Sequence, residues 1–423
     1  MNLLKTNFKK YSIYLLAPIL GFIIVTYNYI YGGHFFGFEF IFFYAVISII
    51  ILLFSIYLLK LKKINKLIIL AYIFKISAAI LFTYILINRY GYGDFNLYYN
   101  LPISLSGDFW NFSYKIQGVA LYAGSTDVPF KGTTIISWLH AIIFKILPPS
   151  IYGLGILHAT ISFIAYLILY KSFYLYTKHK KLLFLLIFFI PSIALQSSFV
   201  GKDAIALLLI SIIFLFLQKF RKNKIFKIIV LAIISFFIYQ IRLYQGIFLA
   251  ISFTVAFTKF RFKRIIALTP FLLLVGFGIY KIVESRIGIE ILSFNLIDTF
   301  STVYSGGSHM TEPYSFPFTY LQIFRPFIWE AKNAFALGLS IESSLLLLLF
   351  IFFILKNWKN ITQGIKNNYL FSFLTIWILI NIVVFSYDPN LGDLARRKIY
   401  IIPFLIPLLL VTYEKYNKNS TNK

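Results

Sequence analysis

The chain of 423 residues contains no cysteine. That excludes disulfide bonds, thiolate metal sites and a cysteine nucleophile, and leaves the redox compartment open. Charged residues are scarce, 13% of the total, about half the share of an ordinary soluble domain. Acidic residues are scarcer still, 14 Asp and Glu against 40 Lys and Arg, for a formal net charge of +26. There is no GxxxxGK[ST] phosphate loop, since Gly201-Lys202 is followed by Asp203, and there is no polar stretch that would make a cytosolic nucleotide domain. Both observations argue against ATP as the energy source.

Apolar residues fill the space, at 60%, and this excludes a soluble enzyme. Runs such as Tyr11–Tyr31, Phe40–Leu59, Leu182–Leu195 and Ile265–Tyr280 approach or reach the roughly 20 residues that carry a helix across about 30 Å of hydrocarbon. Continuous Ile, Leu and Phe are the opposite of the in-out alternation of an outer-membrane barrel. The expected fold is therefore all-α, a polytopic integral membrane protein forming a single membrane domain over residues 1–423. The first apolar run follows Lys5, Lys9 and Lys10, and it is too long for a signal peptide and lacks a small-residue cleavage site, so it reads as a retained helix.

Lys/Arg clusters at Lys5–Lys10, Lys60–Lys66, Lys178–Lys181, Lys219–Lys227, Lys259–Arg264, Lys356–Lys366 and Lys415–Lys423 mark cytoplasmic loops. They orient about twelve spans, near 11–31, 39–59, 67–88, 150–176, 182–200, 203–218, 225–241, 246–258, 265–282, 338–355, 369–386 and 398–413, with both termini inside. The apolar segment Thr133–Leu147 would invert the Lys178–Lys181 cluster if it crossed, so it reads as interfacial or re-entrant. Two outer-face loops, 89–149 and 281–337, are too long to be connectors; loops of that length are usually functional or disordered, and these hold Trp, Tyr, Phe and Pro with few low-complexity tracts, so order is expected. No internal repeat is visible, which weighs against inverted-repeat transporters.

Every Asp and Glu except Glu414 falls on the outer side or at the outer end of a span, although orientation was fixed by Lys and Arg alone. Ionisable groups near hydrocarbon face cavities or partners and are functional candidates. Asp94, in Tyr92-Gly-Asp-Phe-Asn-Leu-Tyr-Tyr99 after the third span, is either a general base on an acceptor hydroxyl, a ligand of a divalent cation, or a helix cap. In Ser197-Ser-Phe-Val-Gly-Lys-Asp203, Asp203 caps the next helix and Lys202 sits at its positive end, where phosphate is favoured. Arg242 occupies a very short outer turn, as an anchor or a ligand-binding group.

Arg325, in Phe324-Arg-Pro-Phe-Ile-Trp-Glu330, offers the planar donor fork that suits phosphate oxygens, with Glu330 beside it. Asp388-Pro-Asn-Leu-Gly-Asp393-Leu-Ala-Arg396-Arg397-Lys398 places three adjacent cations on the face that should be poor in them. Either Asp388 and Asp393 pair with them or an anionic ligand does. His140, His158 and His309 are scattered and lack metal-site spacing, so they read as structural. Trp110, Tyr122, Trp138, Tyr314 and Trp329 could provide platforms for sugar rings.

With Asp94, the stretch Val128-Pro-Phe-Lys-Gly-Thr-Thr-Ile-Ile-Ser-Trp-Leu through Leu147-Pro-Pro-Ser-Ile-Tyr-Gly-Leu resembles the passage that joins an interfacial helix to the next span in the GT-C superfamily of polyprenyl-phosphate-dependent glycosyltransferases. The Ser-Ser-Phe-Val-Gly-Lys-Asp turn, the Arg-Pro-Phe-Ile-Trp-Glu passage and the Asp-Leu-Ala-Arg-Arg segment are more similar to polymerase-type membrane proteins of bacterial O-antigen and capsule clusters. Asp94 is followed by Phe95 rather than by the second acid of the protein mannosyltransferase pattern, which also points to the polymerase branch.

The resemblance implies a glycosyltransferase of the bacterial inner membrane that polymerises oligosaccharide repeat units. Its donor would be a polyprenyl-(di)phosphate-linked sugar and its acceptor a glycan or lipid. Asp94 and Arg325 would be catalytic, Lys202, Arg242, Arg396 and Arg397 would bind phosphate, and Asp203, Glu330 and Asp393 would support them. No cofactor or metal is required by this scheme, with a Mg²⁺ or Mn²⁺ between Asp94 and phosphate as the open variant. Membrane lipid and a polysaccharide chain-length regulator are the expected partners, and nucleic acid is not. The alternatives are a polyprenyl-monophosphate-sugar transferase and, from another class, a lipid-linked glycan flippase.

Overall fold

A computed structural model describes residues 40–60, 66–89, 98–103, 132–219, 224–257, 318–331, 334–385 and 391–421. Among them the protein is helical throughout, with no strand. The principal helices are α1 (Ile41–Leu58), α2 (Lys66–Arg89), α3 (Thr133–Ile146), α4 (Ile151–Tyr174), α5 (Lys180–Phe188), α6 (Pro191–Gln196), α7 (Lys202–Lys219), α8 (Lys224–Ile241) and α9 (Leu243–Phe257). They continue with α10 (Ala334–Asn367), α11 (Tyr369–Phe385), α12 (Leu391–Arg397) and α13 (Ile402–Thr421), with 3-10 turns at Phe318–Phe324, Ile328–Glu330 and Lys398–Tyr400.

Four of these, α1, α2, α4 and α10, are long and apolar enough to cross a membrane, consistent with a helical membrane protein. Burial separates their roles. Helix α4 is buried along nearly its whole length and packs against α1, α2 and α7, so it forms the centre of the bundle. Ser150 caps its first turn, accepting from the Gly153 N–H at 3.0 Å. Helices α1 and α10 show most of their surface outward, through Phe54, Tyr57, Leu345 and Leu348 among others. Hydrocarbon is as good a solvent for these side chains as a protein core, which is why both helices carry apolar residues on every side.

The apolar run 182–200 is not one continuous helix. Proline has no N–H to donate and disfavours helix in the residue before it. Ile190 is accordingly extended, Pro191 opens α6 at its first turn, and α5 ends at Phe188. Hydropathy cannot register this break, because both halves are equally apolar. Helix α10 runs the other way, continuing well past the apolar stretch 338–355 through the Lys356–Lys366 cluster. Helix α3 begins where the apolar pattern of the sequence places it. Its 14 residues span about 21 Å.

Candidate functional site

The ends of α3, α7, α8 and α12 meet. Helix α8 ends at Ile241 and α9 starts at Leu243, so Arg242 alone turns the chain between them. Gly246 allows this: a Cβ there would lie 2.6 Å from Tyr239 Cβ and 2.7 Å from its backbone. The turn aims Arg242 at the first turn of α7, where its guanidinium pairs with Asp203 Oδ1 at 2.5 Å. The Tyr400 hydroxyl donates to the same oxygen at 2.7 Å. Asp203 is 1% exposed, and it stands at the positive end of the α7 dipole, a favourable place for a carboxylate.

Two more guanidiniums, those of Arg396 and Arg397 in the last turn of α12, act electrostatically on Asp203. Each lies over an aromatic ring: Arg396 is 4.4 Å from the centroid of Phe199, and Arg397 is 4.4 Å from that of Phe385. Stacking on a ring fixes the plane of a guanidinium and leaves its donors at the edge. Lys202 completes the group. A Cβ placed on Gly132 would lie 3.3 Å from the Lys202 ammonium and 3.8 Å from the Ile241 carbonyl. Gly132 has φ +57°, a region that favours glycine, and its N–H donates to the Gln240 carbonyl at 2.7 Å. This bond ties the start of α3 to the end of α8.

The structure thus brings Lys202, Asp203, Arg242, Arg396 and Arg397 into one cluster. Lys202, Arg242 and Arg396 are partly exposed, while Arg397 is buried. Asp203 Oδ2 is buried and has no hydrogen-bond partner among the described residues. Three guanidiniums and an ammonium gathered around the first turn of a helix are suited to hold a multiply charged anion.

Arg325 is placed differently. Its guanidinium is buried and forms an ion pair with Glu330, five residues on, whose other carboxylate oxygen accepts from the Phe327 N–H at 2.8 Å. The pair closes the segment that precedes α10. Trp329 in the same segment is 76% exposed and stacks on Phe327, 4.9 Å between centroids. Asp94 lies outside the described residues, as do Trp110, Tyr122, Tyr314 and His309. Asp393 is in α12, but its side chain is outside the described set. Among the described residues no three His, Asp or Glu come together as a metal site.

Several polar contacts have no counterpart in the sequence pattern. His140 on α3 and His158 on α4 meet at 2.8 Å between their Nε2 atoms, and His140 Nδ1 is 2.8 Å from the Tyr98 carbonyl. A carbonyl only accepts, so His140 carries its proton on Nδ1 and accepts on Nε2 from His158. Burial lowers the His140 pKa to about 4, in keeping with this neutral tautomer. Lys75, buried on α2, donates to the Ala194 carbonyl at 3.0 Å and to the Ser197 hydroxyl. Glu342 on α10 accepts from the Ser192 N–H at 2.8 Å and from the Ser192 hydroxyl, and Lys398 donates to the Ser343 hydroxyl at 2.6 Å. A lone cation in an apolar run is itself a signal, and Lys75 could have been found that way. Tyr400, one aromatic among many, gave none. Compared with known proteins, the chain matches no family model, no curated protein and no solved structure.

Proposed function

We propose that the protein is a membrane glycosyltransferase acting on polyprenyl-(di)phosphate-linked sugars at the outer face of the bacterial inner membrane, and that it polymerises oligosaccharide repeat units of a surface polysaccharide. In this reading the chain makes about twelve spans with both termini cytoplasmic. The observation that supports it best is the convergence of Lys202, Arg242, Arg396 and Arg397 around the carboxylate of Asp203. Fixed cations of this kind bind a diphosphate and stabilise the charge that grows on it as it leaves the sugar, an effect worth several kcal/mol at a water-poor site. Asp94 deprotonates the acceptor hydroxyl, and the stacked Trp329 is a candidate sugar platform. Arg325, expected from the resemblance to be catalytic, is held by Glu330 in an ion pair, and in this reading it instead braces the segment ahead of α10.

The test is replacement of Arg396, Arg242 and Arg325 by Ala in cells lacking the native gene, scored by polysaccharide length and by protein abundance. Arg396→Ala should shorten the polysaccharide to single repeat units at normal abundance, and Arg242→Ala should shorten it while also lowering abundance, because it leaves the buried Asp203 carboxylate without its ion-pair partner. Arg325→Ala should act by lowering abundance. Full-length polysaccharide in both of the first two variants would overturn the reading. A lipid-linked glycan flippase draws support from one feature, the helix break at Pro191, since broken helices form the binding sites of many transporters. Purified protein given a defined lipid-linked donor separates the two, because only a polymerase makes a repeat-unit ladder.

A further inference from the structure

Outside the cation cluster, two charges, the buried Lys75 and the half-buried Glu342, hold opposite ends of one short helix. Helix α6 has six residues and stands alone between the break at Pro191 and the turn 197–201. Its first N–H groups and last carbonyls have no partners within the helix. At the start, Glu342 accepts both from the Ser192 N–H and from its hydroxyl. At the end, the Lys75 ammonium donates to the Ala194 carbonyl and to the Ser197 hydroxyl. A carboxylate at the positive end and an ammonium at the negative end both match the helix dipole. The two charges come from different helices, α10 and α2. Lys75 has no carboxylate partner among the described residues, and an isolated ammonium in such surroundings is costly. Its place at the end of α6 is what the structure offers in return.

The end of α6 leads directly into the site. The turn after it carries Phe199, the ring beneath Arg396, and then Lys202 and Asp203. Glu342 also attracts Lys398, which adjoins Arg397 and Arg396 and is anchored on Ser343. Glu342 therefore reaches Arg396 by two routes. One runs through α6 and Phe199, the other through Lys398 and the end of α12.

We infer that Glu342 and Lys75 are positioning residues for the anion site: they fix α6 at both ends, and Glu342 holds the Phe199–Asp203 wall in register with the Arg396–Arg397 wall. The inference rests on the proposed reading of the cluster as a diphosphate site. It concerns residues that touch no substrate, so their effect must pass through the cations.

The test uses the full chain in lipid nanodiscs, with farnesyl diphosphate as the probe and binding measured by titration alongside the unfolding temperature. Glu342→Gln keeps a hydrogen-bond acceptor for Ser192 but loses the charge that Lys398 faces. Lys75→Met keeps the bulk and removes the ammonium. Each should weaken binding about tenfold, the lower end of what loss of a supporting partner costs in bound-ion sites. The unfolding temperature of Lys75→Met should hold or rise, since an apolar replacement of a buried charge is often stabilising. Lys75→Arg should return to within about threefold of the parent, a difference below 1 kcal/mol. Parent-like binding in both Glu342→Gln and Lys75→Met, with binding lost in Arg396→Ala, would overturn the inference alone. Equal loss of binding and of unfolding temperature in Lys75→Met and Lys75→Arg would also overturn it, by making the role structural. Parent-like binding in Arg396→Ala would overturn the diphosphate reading and the inference with it.

Discussion

Asp203 carries the electrostatic weight of its neighbourhood, accepting from Arg242 and Tyr400 while Arg396 and Arg397 act on it from α12. Removing one partner of a buried ion pair leaves the other charge uncompensated, at a cost of about 3–5 kcal/mol. Removing a hydrogen bond to an ionised acceptor costs about 1.5–3 kcal/mol. Asp203→Asn should therefore destabilise the protein more than Tyr400→Phe, read as denaturant unfolding in detergent micelles. The reverse order would show that Tyr400, not the carboxylate, organises the cluster. These residues were unequally legible. Lys202, Asp203, Arg242 and the Arg396-Arg397 pair stood out because ionisable groups at span ends are few. That they meet could not be read, since they come from three segments far apart in sequence and no local pattern encodes the packing. The Arg325–Glu330 pair is local, five residues apart, and only geometry shows that the two side chains turn toward each other.

At the scale of the element, apolar runs locate helices well and describe their interruptions poorly. Helices α1, α2, α4, α7, α8 and α11 fall within a few residues of the expected runs, because a long apolar stretch in lipid must satisfy its own backbone and so must be helical. The break between α5 and α6 depends on one proline, which hydropathy averages away. Helix α3 is held to α4 by a histidine pair that the sequence presents as two unrelated residues. The folded protein keeps His140 neutral, with its pKa lowered by burial from an ordinary 6.5 to about 4. An unfolded chain takes up a proton at the ordinary value, so this contribution to stability is complete above about pH 6.5 and is lost as pH falls from there toward 4. The unfolding temperature should drop between pH 7 and pH 5, and the drop should be smaller in His140→Gln. An equal drop in both would remove His140 from the account.

At the scale of the whole molecule, the absence of cysteine makes the sidedness directly measurable. Trp329, 76% exposed ahead of α10, and Trp358, 62% exposed in its polar continuation, should lie on opposite sides of the membrane. Trp329→Cys should react with a membrane-impermeant maleimide on intact spheroplasts, and Trp358→Cys only after permeabilisation. Labelling of both without permeabilisation would invert or dissolve the proposed topology. One feature reaches across the same distance in the opposite sense. The Ser192 amide is among the first N–H groups of a six-residue helix, a position that ordinarily exchanges its hydrogen with water almost as fast as an unfolded chain. Here the amide is bonded to Glu342 of α10, in a helix whose far end is bonded to Lys75 of α2. Its opening requires the bond to Glu342 to break, so its deuterium uptake should track the separation of α6 from α10 rather than the fraying of a short helix.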